Sequence, residues 1–404
     1  LKVLLVCPFI NSNAVSESRN NFVFAKEISN RAETTILTFY HPHWPKPSLQ
    51  GIDARFIEWP DYTMFQRLPR FNAVAKPGYF LFRHKASKWL QEALRKGEKF
   101  DVIHQISPPA LRSPAINLGS YRGPFVLGPL SGSVPRPRSF SREFRDEPLF
   151  MKMRLLDAIR LRIDPWIRRG IERADIVLGS APYVRTRLRN FAVKRFEVFS
   201  RICIDKMPDE VSKPPHNSEH LRLLFVGRIV RWKGARDAIR AIATLGDLPN
   251  VTLDIVGDGD DLPACMNEVN QLDLSTRVKF HGWCDRMTVS RMMVDSHVFV
   301  FPSITEPAGG VVVEAMSHGL PVIAIDAGGP GFYVTEQCGV KVPASNPDQV
   351  ARDLAFAIRS LATNPNLVES MGRKSVERIK DVALLPTVFD RLIDLYKEAK
   401  SERQ

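Results

Sequence analysis

Short apolar runs of strand length alternate along the chain with longer segments in which apolar residues recur every three or four positions, the pattern of strands and helices taking turns in parallel sheets. Two series of runs stand out: residues 2–6, 34–39, 101–105, 124–128 and 175–179, then residues 222–226, 251–256, 277–280, 297–301, 321–325 and 339–342. Between them, residues 206–220 are polar, rich in proline (Pro208, Pro214, Pro215) and without apolar period, which reads as a linker. The expectation is an α/β protein of two domains, 1–205 and 221–385, with a last helix over 386–404 able to pack back on the first. Helix signals are clear in the second half. Asn346-Pro347-Asp348-Gln349 combines an N-cap, a proline at the first helical position and an acid in the first turn, and Val350, Leu354, Ile358 and Leu361 then share one face. Val388, Leu392, Leu395 and Ala399 repeat that stripe near the end.

The length of 404 residues suits two cores better than one, and 44% hydrophobic with 25% charged residues is an ordinary globular composition. No window approaches the roughly 18–20 apolar residues of a membrane-spanning helix, and the chain opens on a strand-like run without a signal-peptide pattern. Five scattered cysteines, Cys7, Cys203, Cys265, Cys284 and Cys338, offer no Cys-x-x-Cys pair, so neither a disulfide framework nor a zinc site is expected and a cytoplasmic location fits. Charge changes the picture. Residues 1–220 carry 36 basic against 21 acidic residues, a balance of +15, and the remainder carries −2. Twelve of those basic residues fall between Met151 and Arg195. They form either a solvated face or a surface for an anionic membrane leaflet or acceptor; nucleic acid is the weaker partner.

The sharpest chemical signal starts where the run 297–301 ends. Pro302-Ser303-Ile304-Thr305-Glu306-Pro307-Ala308-Gly309-Gly310 leads into Val311-Val312-Val313-Glu314, and Gly319 closes the segment. Strand, glycine-containing loop and helix in that order place backbone N–H groups at the carboxyl end of a parallel strand, a site for anions. Glu306 and Glu314 flank it with carboxylates suited to sugar and ribose hydroxyls. A second strand and glycine turn, Phe225-Val226-Gly227-Arg228-Ile229-Val230-Arg231-Trp232-Lys233-Gly234, presents Arg228 and Lys233, cations matched to diphosphate oxygens. Each feature alone fits a surface loop; together they favour phosphate. Asp258-Gly259-Asp260 reads as a turn rather than as a metal motif, and no metal or cofactor is expected.

These segments resemble the family-4 glycosyltransferases, whose C-terminal domain carries a glycine-arginine turn, a lysine five residues later and two glutamates separated by seven residues; Val256-Gly257-Asp258-Gly259 and His281-Gly282-Trp283 match in order. The likeness covers 221–345 closely and the first half in layout. It implies the GT-B fold, two Rossmann-like domains facing each other across a cleft, and a retaining, metal-independent transfer from a nucleotide-diphosphate sugar. Arg228 and Lys233, after Gly227, would then bind the diphosphate; Glu306 with the amides of Ala308, Gly309, Gly310 and Val311 would hold the donor sugar; Glu314 would bind the ribose; and Trp283 and Cys284 would pass near the base.

The first half departs from the common pattern. Pro8-Phe9-Ile10-Asn11-Ser12-Asn13 stands where many members have a Gly-Gly pair, and Gly128-Pro129-Leu130-Ser131-Gly132 where many have a donor-facing histidine. That variant, with Asp101-Val102-Ile103-His104 upstream, resembles a bacterial subset of surface-polysaccharide assembly, in which the acceptor is a saccharide or a lipid-linked saccharide. His104, Ser131, Gly132, Arg136 and Arg138 are the acceptor-side candidates; His104 could take the place of the donor-facing histidine, although a lone strand-end histidine is more often packed, and the two arginines could equally be solvated. Other readings are a GT-B epimerase or phosphorylase, a non-catalytic polyanion-binding protein, and a dinucleotide oxidoreductase, for which the first strand lacks G-x-G-x-x-G.

Overall fold

The computed structural model describes residues 1–12, 17–40, 49–61, 77–106, 111, 113–132, 134–143, 161–208 and 220–403. Residues 209–219 of the expected linker, and Arg154 and Arg160 of the basic run, lie outside them. The chain divides into two compact units, one of Leu1–Gly132, Glu147–Arg201 and Val388–Gln404, the other of Ser133–Asp146 and Ile202–Thr387.

The first unit is built on a seven-stranded sheet of β1 (Lys2–Phe9), β2 (Glu33–Tyr40), β3 (Arg55–Pro60), β4 (Val102–Gln105), β5 (Phe125–Leu130), β6 (Ile176–Gly179) and β7 (Phe196–Val198). Its spatial order is β3-β2-β1-β4-β5-β6-β7, with every pairing parallel. β4, β5 and β6 are buried along their whole length, as expected when both faces of a parallel sheet are covered. The long helix Pro77–Arg95 lays Phe82, Ala86 and Leu90 into the core with Leu4, Val6, Leu37 and Phe39. At the chain's end, helix Leu385–Ser401 brings Phe389 to within 4.9 Å of the ring of Phe24 and 5.9 Å of that of Phe199.

The second unit repeats the plan. Its sheet holds β8 (Leu221–Val226), β9 (Val251–Val256), β10 (Val278–Gly282), β11 (Val298–Phe301), β12 (Val322–Ile325) and β13 (Gly339–Val342), in the order β10-β9-β8-β11-β12-β13 and parallel throughout. Counted from its own first strand this is 3-2-1-4-5-6, the doubly wound order. The expected N-cap is present: Asn346 accepts the N–H of Gln349 at 2.9 Å, and helix Pro347–Ala362 buries Val350, Leu354, Ile358 and Leu361.

Two edge strands escape the sequence pattern. β3 is half-exposed and mixes Arg55, Glu58 and Pro60 among its apolar residues, and β7 is three residues long. Residues 134–143 are a second departure. Phe140 is fully buried in the core of the second unit, so this stretch groups there although it lies in the first half of the sequence.

Candidate functional site

In a doubly wound sheet the crevice for a ligand opens where the strand order reverses, beyond the carboxyl ends of the two central strands. Here those strands are β8 and β11, side by side. The chain leaves β8 through Gly227-Arg228 and a one-turn 3-10 helix, Arg231–Lys233; it leaves β11 through residues 302–309 into helix Gly310–Ser317. Both motifs singled out in the sequence therefore meet at one switch point.

Glu306 is the centre of the meeting. One carboxylate oxygen accepts the N–H of Gly309 at 2.9 Å and of Ala308 at 3.2 Å, and the other contacts the Lys233 ammonium. Both side chains are 15% exposed. Burial pushes the Glu306 carboxyl up, but Lys233 and the two amides outweigh it and hold the group below its ordinary range, so it is ionised. The Lys233 ammonium also lies 5.0 Å from the centre of the Phe301 ring. Ala308 and Gly309 thus spend their amides on the loop's own carboxylate. The N–H groups of Gly310 and Val311, which open the helix, have no acceptor within it and form its positive end.

Sequence reasoning missed the support beneath this loop. Gly329 donates its N–H to the Glu306 carbonyl at 3.0 Å, and Gly328 sits at φ 62°, where a Cβ would lie 1.9 Å from the same oxygen. Only glycine fits there. The signal was Gly328-Gly329-Pro330 directly after the run 321–325, which marks a turn without revealing what the turn approaches.

The remaining donor-side candidates line up along the same edge. Gly227 donates to the carbonyl of Val256 at 3.0 Å and Gly257 to that of Gly282 at 2.8 Å, so the turns after β8, β9 and β10 are laced together. Arg228 is exposed at one end, and at the other are Trp283, 79% exposed, and half-buried Cys284. Glu314 lies further along the helix, 40% exposed, with Arg286 3.7 Å away. Asp258 accepts the N–H of Gly259 at 2.7 Å, the self-capped turn expected of that segment. A half-buried cation, an ionised carboxylate, a helix N-terminus, exposed Arg228 and half-buried Glu314 can together receive a multiply charged ligand that also carries hydroxyls.

The same unit carries a likeness to known proteins. Residues 206–378 match the model of glycosyl transferases group 1. A lipopolysaccharide core biosynthesis glycosyltransferase, LpsE of Rhizobium meliloti (strain 1021), is 30% identical over 168 residues, 40% of this chain and 48% of that protein. The chain spans 33–50% of the length of three of the curated relatives it matches. Among solved structures, Anabaena Alr3699/HepE in complex with UDP superposes with a TM-score of 0.64 at 18% identity, covering 98% of this chain and 100% of that one. The lipopolysaccharide outer core galactosyltransferase WaaB gives 0.64 at 15% identity, with full coverage of both chains. At such identities the likeness is one of fold, and the fold is GT-B.

Outside the stretch matched to the group 1 glycosyltransferases, the acceptor-side candidates are divided between the two units. His104 is fully buried in the first unit: Nε2 donates to the carbonyl of Gly128 at 2.8 Å, and Nδ1 accepts from the Tyr396 hydroxyl. Burial depresses its pKa to about 4, which matches that neutral tautomer. Both nitrogens are spent inside the core, so the reading of His104 as a ligand-facing residue is corrected to that of a packing residue. Ser131 and Gly132 are half-buried after β5, with the Gly132 N–H 3.1 Å from the Tyr183 hydroxyl. Arg136 and Arg138 are exposed on the stretch that groups with the second unit, not with His104.

Proposed function

We propose that the protein is a retaining glycosyltransferase that moves a sugar from a nucleotide-diphosphate donor to a saccharide or lipid-linked saccharide during bacterial surface-polysaccharide assembly. One observation carries the reading: the junction of Lys233, Glu306 and the first turn of helix Gly310–Ser317 at the β8/β11 switch point. The family model over the same residues and the names of the relatives, among them lipopolysaccharide enzymes, support it.

In this scheme Lys233, Arg228 and the helix N-terminus stabilise the departing diphosphate, where negative charge grows as the glycosidic bond breaks. Glu306 orients the donor sugar, Glu314 takes the ribose, and the backbone at Trp283 and Cys284 passes along the base. The acceptor hydroxyl attacks from the face the diphosphate leaves, and the leaving phosphate takes its proton, so no further side-chain base is required. The leaving group is met by cations, and the reaction needs no metal.

A thermal-shift panel of nucleotide sugars tests the donor assignment, since a ligand bound only by the native state raises its melting temperature. At least one should stabilise the protein and be turned over equally with and without EDTA. No stabilisation by any member sinks the reading, and activity lost in EDTA and restored by manganese sinks the metal-free mechanism.

A specific observation favours docking of the first unit on an anionic membrane face. Ile163 is 72% and Trp166 52% exposed, beside Arg162, Arg168 and Arg169 at helix Pro165–Arg173. Apolar anchors next to cations suit an interface of lipid headgroups. No helix among the described residues is long and apolar enough to cross a membrane.

A further inference from the structure

The proposed donor site depends on where Lys233 points, and Lys233 ends a three-residue 3-10 turn too short to fix itself. Two neutral contacts tether the turn to the loop after β11. The Trp232 carbonyl accepts the N–H of Ile304 at 2.9 Å and the Ser303 hydroxyl at 3.3 Å. Gly234, at φ 82°, lies so close to Pro302 that a Cβ would stand 2.3 Å from its carbonyl oxygen.

The third tether is ionic and does not touch the loop. Arg231, 7% exposed, donates from its two terminal nitrogens to the two oxygens of Asp237 at 2.7 and 2.9 Å, and its Nε contacts Glu143. Asp237 is wholly buried in the first turn of helix Ala235–Ala243. The guanidinium fork is therefore committed on both sides, to the helix after the turn and to the stretch 134–143. Such a pair is a weak source of stability, because desolvating both charges offsets their attraction. What it supplies is a fixed distance across residues 231–237, with Lys233 inside the closed ring.

We propose that Arg231, clamped by Asp237 and Glu143, is a positioning residue that sets Lys233 for the donor diphosphate. The inference rests on the donor reading above. It assigns Arg231 no contact with the ligand: the residue acts through Lys233.

Calorimetric titration of the whole protein with UDP, GDP and ADP identifies the nucleotide that binds, and the variants are measured with that one. Lys233→Ala should weaken it about ten- to a hundredfold, the scale of one charge-assisted hydrogen bond. The double variant Arg231→Met/Asp237→Leu removes both buried charges together and leaves without its partner only Glu143, whose side chain is 25% exposed to water. Its melting temperature should stay near that of the parent while affinity falls roughly tenfold. Adding Lys233→Ala to it should cost nothing beyond Lys233→Ala alone, since a residue that acts through Lys233 has nothing left to act through. Parental affinity in the double variant, or losses that add in full, would overturn the inference and make the pair a structural brace. If the double variant does not fold, Arg231→Lys keeps the charge without the fork, and unchanged affinity there overturns the inference equally. The donor reading fails separately if no nucleotide binds the parent or if Lys233→Ala binds as the parent does, and the inference falls with it.

Discussion

Glu306→Gln separates the two things its carboxylate does. One oxygen caps Ala308 and Gly309 while the other neutralises Lys233, with both side chains only 15% exposed. A carboxamide can keep the amide caps through its oxygen, but its NH2 then faces an ammonium, donor against donor. Leaving Lys233 without its counter-charge should cost about 2 kcal/mol, below the roughly 3–5 kcal/mol of a fully buried broken pair because water still reaches the edge of this one. For a unit of this size that is a fall in melting temperature of roughly 4–8 °C. Turnover at saturating donor should fall on the order of a hundredfold, equivalent to about 2.7 kcal/mol of transition-state stabilisation. The assay pairs a melting curve with initial rates of sugar transfer, or of donor hydrolysis, under conditions where the variant stays folded. A melting temperature that drops as stated with turnover intact would reduce Glu306 to a brace for its loop. A variant unchanged in both would refute the coupling to Lys233 as well.

Gly328→Ala puts a methyl group where the Glu306 carbonyl lies 1.9 Å away, at a left-handed φ; we expect a loss of about 2 kcal/mol in urea unfolding together with weakened nucleotide binding, and a silent substitution would show that the loop yields. His104 titrates near 4 in the fold against 6.5 when unfolded, so the unfolded chain binds the extra proton as pH falls. Its contribution is whole above pH 6.5, is lost on descending through 4, and amounts to about 3 kcal/mol across that window. His104→Gln should flatten that limb of the urea-derived stability profile, and a parallel profile would refute the assignment. Replacing Arg160, Arg162, Arg168 and Arg169 by glutamine should abolish sedimentation with anionic vesicles at low salt and spare donor binding, at about 1 kcal/mol per basic residue; Arg168 counts for less, since Glu172 already pairs with it at 2.8 Å. Failure of the unaltered protein to bind such vesicles ends the membrane reading.

The central strands of both sheets were legible because parallel strands covered on both faces are continuous apolar runs, and the same property hid His104. In β4 every residue is buried, so alternation cannot say which side chains face a ligand and which a helix. The tyrosine that accounts for the ring, Tyr396, lies 292 positions away and announces nothing in sequence. Glu306 and Lys233 were found because strand, glycine turn and charge recur at short range. Their supports were not. Gly328, Arg231 and Asp237 act through a carbonyl oxygen and a buried fork, contacts that no spacing encodes. Arg136 and Arg138 were assigned by sequence neighbourhood, whereas Phe140 and Glu143 fasten that stretch to the second unit.

Topology alone does not choose the second unit for the proposed donor site, because the first has the same strand order and hence its own switch point, beyond β1 and β4. The difference lies in the loop after the first strand of each. After β8 comes Gly227, and then a cation held in the crevice by a carboxylate. After β1 the described residues run Ile10-Asn11-Ser12 without glycine, and that loop's polar groups are turned on the protein itself: Asn21 donates to the Phe9 carbonyl at 2.8 Å, Arg19 to that of Ser12 at 2.6 Å, and the Asn11 N–H to that of Ser18 at 3.1 Å. Among these contacts the Asn11 N–H is the one donor of the loop itself, and it is already matched. The loop after β11 keeps Lys233 and the first-turn amides on one small surface beside an ionised carboxylate. Of two crevices with equivalent architecture, the second is the one whose chemistry suits the proposed sugar-diphosphate donor.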